Sequence, residues 1–182
     1  MKRKAIIIVD VQNDFCAGGA LAVPQGDEVV PYLNRMISHA MANNWLIILS
    51  LDWHSDDFDG WPAHCVKNTK GAEFHPDLII ADHFIIIYKN GCSVFGGFTD
   101  KGQALEEILK SSDVGESYIG GLATDYCDKA TAVDSANKGF KTFLLLDACR
   151  AVNLNPDDED KAIEEMKSAG VIITTTKEIL DD

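Results

Sequence analysis

The sequence has no apolar stretch approaching the ~20 residues that a membrane-spanning helix needs. The apolar run that follows the basic start, residues 5–9, is also shorter than the roughly 7–15 apolar residues of a secretory signal. We therefore expect no membrane association and a cytoplasmic location.

Positive charge is scarce as well, because 16 lysines and arginines stand against 29 aspartates and glutamates, for a formal net charge of −13. Such a chain repels phosphate groups, so we expect no nucleic-acid partner and no anionic membrane partner. The five cysteines are scattered and form no CxxC pair, which argues against a disulfide framework and fits a reducing compartment.

The 182 residues suffice for one domain with a real core, which we place at residues 1–182. Six short apolar runs recur without alternating polar residues, which is typical of parallel strands buried on both faces. The runs are AIIIVDV, WLIILSLD, HFIIIYK, SYIGGL, KTFLLLD and VIITT. Helical patterns lie between most of them. The sequence therefore predicts an α/β fold, a three-layer α/β/α sandwich around a mostly parallel sheet of about six strands.

Functional residues are expected where these strands end, because ligands of open α/β sheets gather at the carboxyl ends of strands. Asp10, Asp52 and Lys89 each end an apolar run, and Cys127 follows the lead-in GGLATDY at the expected start of a helix. The long irregular stretch between residues 52 and 82 is also typical of a functional loop.

Asp10, Lys89 and Cys127 have the chemistry of a cysteine-nucleophile triad. A helix start lowers the pKa of a thiol and holds an oxyanion, a carboxylate transfers the proton, and a lysine stabilises both anions. Each residue alone also has an ordinary explanation: a buried structural thiol, a strand-end cap and a solvated strand end. Their joint occurrence at ends of buried elements favours the catalytic interpretation.

The segment DWHSDDFDGWPAHC suggests a metal site beside this triad. Asp52, His54 and His64 offer one carboxylate and two imidazoles, a set that suits zinc, iron or manganese and leaves positions open for water or ligand. The alternative is a polar surface loop with two incidental histidines. His75, which precedes a proline, is interpreted as a structural hydrogen-bonding residue.

These motifs together resemble the nicotinamidase/pyrazinamidase branch of the isochorismatase-like cysteine hydrolases. The resemblance covers nearly the whole chain, with its blocks in the family's order. Those blocks are IIIVDVQNDFCAGGALAV, DWH, WPAHCVKNTKGAEFHPDL, YKNG, GGLATDYCDKATAVDSANKGF and LLLDACRAV. The combination of DxH, WPxHC and GxATDxC is its most specific part.

The resemblance implies a role for each residue of the triad. Cys127 is then the nucleophile, Asp10 the general base and acid, and Lys89 the third catalytic member. The backbone N–H groups of Ala123 and Cys127 form the oxyanion hole, and a cis peptide bond links Leu122 to Ala123.

The resemblance also implies a metal and a ring pocket. Asp52, His54 and His64 hold one divalent transition metal, with zinc favoured over iron or manganese. The substrate ring is bound by side chains from several segments: Phe15, Leu21, Trp61, Phe95, Leu122 and Tyr126.

Two features depart from the family pattern. Only SDDFDG separates His54 from Trp61, where relatives have a longer loop that in some supplies a further ligand. Asp57 is our weak candidate for a fourth ligand, with water as the alternative. Tyr126 stands where a histidine is frequent, which bears on substrate preference.

The implied activity is hydrolysis of nicotinamide, and of pyrazinamide, to the acid and ammonia through a thioester, in NAD salvage. The substrate is a small molecule, and a homo-oligomer is compatible with the sequence. One alternative is a related amidohydrolase acting on a carbamoyl or ureido substrate. A more distant alternative is a non-enzymatic thiol or metal sensor.

Overall fold

The structure is a computed structural model that describes residues 2–55, 58 and 60–181. Six strands form one sheet in which every neighbouring pair is parallel. In chain order they are β1 (Arg3–Val9), β2 (Leu46–Asp52), β3 (Ile85–Lys89), β4 (Val114–Leu122), β5 (Lys141–Arg150) and β6 (Ile172–Thr174). All six correspond to the apolar runs of the sequence.

In the part of the chain that the structure describes, five α-helices cover the sheet: α1 (Val29–Ala42), α2 (Leu105–Ser111), α3 (Lys129–Asn137), α4 (Asp158–Ser168) and α5 (Thr176–Leu180). The sequence did not predict α5, a five-residue helix that begins with a capping box between Thr175 and Glu178. The helix expected near Cys127 begins with a π-helical turn, Thr124–Asp128, and continues as α3.

Apolar residues on both faces of the sheet build two separate cores. In β1, Ile6 and Ile8 pack towards the core that contains α1, whereas Ile7 and Val9 pack towards the core that contains α2, α3 and α4. Successive strand side chains point to opposite faces, so a strand covered on both sides reads as a continuous apolar run. The predicted three-layer α/β/α sandwich is confirmed.

The order of strands across the sheet is β3-β2-β1-β4-β5-β6. The chain therefore builds outward from β1 in one direction, and then crosses to build outward on the other side from β4. Ligands of open α/β sheets bind where the order reverses, outside the carboxyl ends of the strands. That point lies after Val9 of β1 and Leu122 of β4. No helix in the described ranges is both long enough and apolar enough to span a bilayer.

Candidate active site

Three side chains from separate strand ends meet at this point of the sheet. The Lys89 ammonium lies at the end of β3, with its Nζ 2.7 Å from Oδ2 of Asp10 and 3.6 Å from Sγ of Cys127. It also lies 3.2 Å from Oδ1 of Asp52. The fold thus gathers the carboxylate, the ammonium and the thiol that the sequence analysis placed at ends of buried elements.

Asp10 is fully buried at the end of β1, where the backbone leaves the strand with φ 49°. Its Oδ1 accepts a 2.7 Å hydrogen bond from the Ser50 hydroxyl, while its Oδ2 faces Lys89. Burial raises the pKa of the Asp10 carboxyl above its ordinary value, and the ammonium of Lys89 opposes that rise. A carboxylate with a raised pKa is a stronger base, which suits proton transfer from a thiol.

The pKa of Lys89 lies well above its ordinary value although burial alone would lower it, because Asp10, Cys127 and Asp52 all favour the charged form. A buried lysine with three such neighbours stays protonated at neutral pH. It therefore supplies a permanent positive charge between the carboxylate and the sulfur.

Cys127 lies in the π-helical turn that links β4 to α3. The chain reaches it through a close approach of β4 to β1, where a Cβ on Gly121 would lie only 2.1 Å from the Val9 carbonyl oxygen. Only glycine fits there, at φ 147°. The Leu122–Ala123 peptide bond is cis, as the resemblance implied.

Asp52, His54 and His64 form a buried cluster directly beside Lys89. Oδ2 of Asp52 lies 3.0 Å from Nε2 of His54 and 3.2 Å from Nε2 of His64. Although burial alone would raise the pKa of the Asp52 carboxyl, its contacts with His64, Lys89 and His54 lower that pKa to about 2. The carboxylate is therefore ionised at any physiological pH.

The position of the proton on the His64 ring favours a bound cation in this cluster. Its Nδ1 lies 2.7 Å from the carbonyl oxygen of Pro62, which only accepts, so Nδ1 carries the proton. In the neutral ring, Nε2 then presents a lone pair to a carboxylate oxygen of Asp52. Two acceptors would then face each other, unless a proton or a metal ion lies between them. A metal-bound histidine commonly donates its other N–H to a carbonyl oxygen, as Nδ1 of His64 does here. One carboxylate and two imidazoles thus fit a divalent transition metal.

A cavity of about 200 Å³ opens onto both the triad and this cluster. Five of the six predicted ring-binding residues line it: Phe15, Leu21, Trp61, Leu122 and Tyr126. The rings of Trp61 and Tyr126 meet edge to face, with their centroids 5.3 Å apart. Together the apolar walls and the polar floor suit a flat ring that carries one reactive polar group.

Phe95 does not line this cavity in the described structure, contrary to the sequence prediction. It lies in a short turn, Val94–Gly96. Its ring packs against the ring of Phe140, with the centroids 6.3 Å apart, in the core on the other face of the sheet. The weak fourth metal ligand, Asp57, lies outside the described residues.

Comparison with known proteins decides the family. The sequence matches the Isochorismatase domain over residues 4–178. The chain belongs to the isochorismatase family. It is 36% identical to the nicotinamidase of Escherichia coli over 96% of each chain. It is also 36% identical to the nicotinamidase/pyrazinamidase of Mycobacterium tuberculosis, over 92% of this chain and 96% of that one.

A solved structure agrees with this isochorismatase assignment. The crystal structure of the pyrazinamidase of Pyrococcus horikoshii in complex with zinc superposes with a TM-score of 0.86 at 40% identity, covering 95% of this chain and 99% of that one. The family resemblance seen in the sequence motifs is therefore confirmed.

Sequence reasoning missed two residues that brace this isochorismatase site. Ser50 holds Asp10, and the buried Gln12 joins the ends of β1 and β2. The Gln12 amide accepts from the Asp52 N–H at 2.8 Å and donates to the carbonyl oxygens of Asp52 and Ala72 at 2.9 Å each. The available signal was a polar side chain near the end of an apolar strand, two residues from Asp10 or Asp52.

A second group of ligand-type side chains, Cys16, Asp27 and His75, lies outside the cavity. Nδ1 of His75 accepts from the Asp77 N–H at 3.2 Å, so Nε2 carries the proton and faces Oδ1 of Asp27 at 3.3 Å. A metal would need the Nε2 lone pair, which this tautomer lacks. The arrangement therefore fits the structural hydrogen-bonding interpretation of His75.

Proposed function

We propose that the protein is a nicotinamidase that hydrolyses nicotinamide to nicotinate and ammonia, and cleaves pyrazinamide in the same way. The observation that carries the proposal is the position of the Lys89 ammonium. It lies within 3.6 Å of Cys127, Asp10 and Asp52 at the floor of one cavity. The relatives named above act on this class of compound, and the cellular role is recycling of nicotinamide towards NAD.

Cys127 is the nucleophile in this proposal. Asp10 takes the thiol proton as the sulfur attacks the carboxamide carbon, and Lys89 stabilises the negative charges on both residues. The N–H groups of Ala123 and Cys127 hold the tetrahedral oxyanion, and loss of one such donor costs on the order of 10²–10³ in rate.

Collapse of this intermediate breaks the C–N bond, and Asp10 gives its proton to the departing ammonia. A thioester to Cys127 remains. Water enters, Asp10 removes its proton, and attack on the thioester releases the carboxylic acid and restores the thiol. One water is consumed for each carboxamide cleaved.

Asp52, His54 and His64 are the residues that would hold a metal ion, and we propose zinc, with iron or manganese as alternatives. When bound, the ion supplies a Lewis acid for the ring nitrogen, directly or through water. Phe15, Trp61 and other cavity walls hold the ring faces, so the carboxamide is directed towards Cys127. Metal analysis of the purified protein identifies the ion.

The decisive experiment measures ammonia release from nicotinamide by wild type, Cys127→Ala and Cys149→Ala. Cys149 is a buried thiol of the α2–α4 core, so it serves as a matched control. We expect turnover by wild type and Cys149→Ala, and a fall of about 10⁴- to 10⁶-fold in kcat for Cys127→Ala.

Two outcomes would redirect the assignment. Turnover of carbamoyl or ureido compounds without turnover of nicotinamide favours the related amidohydrolase, and absence of turnover with any of these compounds favours a sensor. Wild-type protein that hydrolyses nicotinamide but leaves pyrazinamide intact refutes the pyrazinamidase part alone.

The single domain over 1–182, the cytoplasmic location and assembly into a homo-oligomer stay predictions from the sequence.

A further inference from the structure

A second thiol shares the cavity with Cys127. Cys92 lies three residues after Lys89, in a segment without regular secondary structure, and it lines the same cavity. The two thiols are neighbours on the cavity wall, and each shifts the pKa of the other: Cys127 lowers the pKa of Cys92, and Cys92 raises the pKa of Cys127. Cys92 is exposed and Cys127 is half-buried, whereas Cys16, Cys65 and Cys149 are buried.

We propose that Cys92 and Cys127 form a reversible disulfide under oxidation by a hydroperoxide, which switches off the site and protects the nucleophile. Neither the family assignment nor the proposed hydrolysis requires a thiol at position 92. The proposal concerns the thiol pair itself and does not depend on which carboxamide the site cleaves.

The first step takes place at Cys92, because it is the more exposed thiol. The neighbouring Cys127 thiol lowers the pKa of Cys92 to about 6, so the attacking sulfur is largely a thiolate at neutral pH. Its sulfur attacks one peroxide oxygen, the O–O bond breaks, and the released hydroxide takes a proton to become water. Cys92 then carries a sulfenic acid.

The second step uses the neighbouring nucleophile. The Cys127 sulfur attacks the sulfenic sulfur of Cys92, the S–O bond breaks, and the oxygen leaves as a second water with the thiol proton. Together the two sulfurs give up two electrons, which reduce one hydrogen peroxide to two waters. No other oxidant is needed, and a dithiol reverses the reaction by exchange.

The Cys92 segment has room for the movement that a covalent S–S bond requires. Gly91 has no atom within 4 Å of the place where a Cβ would lie, and Cys92 is on the solvent side of the cavity. By contrast, the backbone of Cys127 is held in the turn between β4 and α3. We therefore expect Cys92 to move towards Cys127.

The test treats the purified full-length protein with hydrogen peroxide and compares wild type, Cys92→Ser and Cys149→Ser. Each variant is measured relative to its own untreated activity. Wild type and Cys149→Ser should lose essentially all activity and regain it with dithiothreitol. Cys92→Ser should be inactivated without recovery, because Cys127 then proceeds to sulfinic acid.

A second readout is independent of activity. Peptide mass analysis of oxidised wild type should show a Cys92–Cys127 linked pair, lighter by two hydrogens, and a fall in free thiols from five to three. In Cys92→Ser, the Cys127 peptide should instead be heavier by two oxygens. Recovery of Cys92→Ser by dithiothreitol equal to that of wild type, or oxidised wild type without the linked peptide, would overturn the proposal.

Discussion

Replacement of the buried Asp128 carboxyl by an apolar side chain should stabilise the protein. Asp128 is fully buried next to Cys127, and neither of its oxygens has a hydrogen-bond partner among the described residues. The thiol of Cys149 lies beside it but donates to the Leu145 carbonyl oxygen at 3.3 Å. An unsatisfied buried polar group costs about 1–3 kcal/mol.

We expect Asp128→Val to raise the free energy of unfolding by about 1–3 kcal/mol, since valine and aspartate have nearly equal helix propensities. For a chain of this size, each kcal/mol raises Tm by about 2–4 °C. The matched control is Asp125→Val in the same turn. Asp125 accepts hydrogen bonds from the Val152 and Asn153 N–H groups at 2.9 and 2.8 Å, so its removal should destabilise the protein.

The pH dependence of this difference provides the second measurement. Burial raises the pKa of Asp128 well above its ordinary value. Because folding raises this pKa, the carboxyl lowers stability least below its unfolded pKa of about 3.9, and increasingly as pH rises towards the folded value. The advantage of Asp128→Val in urea unfolding should therefore be larger at pH 7 than at pH 5, by at most about 1.4 kcal/mol per pH unit. A variant less stable than wild type at both pH values, or a gain that does not change with pH, would refute the reasoning.

Three further predictions concern the bracing of the site. Ser50→Ala should lower kcat about tenfold. The Ser50 hydrogen bond lowers the Asp10 pKa, so its loss should raise that pKa and move the acid limb of the pH–rate profile to higher pH. Ser117→Ala removes a buried hydroxyl outside the cavity and should leave that limb in place. Gln12→Ala should reduce the free energy of unfolding by about 2–4 kcal/mol in urea titration, and a loss below 1 kcal/mol would contradict the bracing role. Bound metal, measured by elemental analysis after dialysis, should fall as the pH is lowered, because protons compete with the metal for imidazole nitrogens. Undiminished metal at pH 4 would contradict His64 as a ligand.

The strands and their ends were predictable because their causes are local in sequence. A strand covered on both faces must be apolar throughout, so β1 to β4 stand out in the chain, and the polar residues that end them mark one edge of the sheet. The order of the strands places those ends together. For this reason the sequence alone predicts Asp10, Asp52 and Lys89 as residues of the site.

The remaining features depend on contacts between distant segments. Cys92 gains a role only from its place beside Cys127 in the cavity, and Gln12 gains its role from backbone groups 40 and 60 residues away. Phe95 was assigned to the cavity from resemblance alone. The local turn instead directs its ring to the other face of the sheet, which no spacing rule reveals. The short helix α5 is the exception, because its capping box between Thr175 and Glu178 is local in sequence while its five residues are too few to show a helical period.

Asp52 belongs to two centres at once, since one oxygen faces the imidazoles and the other faces Lys89. A neutral residue at this position would therefore remove a candidate metal ligand and an anionic neighbour of the buried ammonium at the same time. Effects of changes at Asp52 and Lys89 should be strongly non-additive in a double-mutant cycle. An evolutionary route to a metal-independent amidase through Asp52 would first have to rebalance the charge around Lys89.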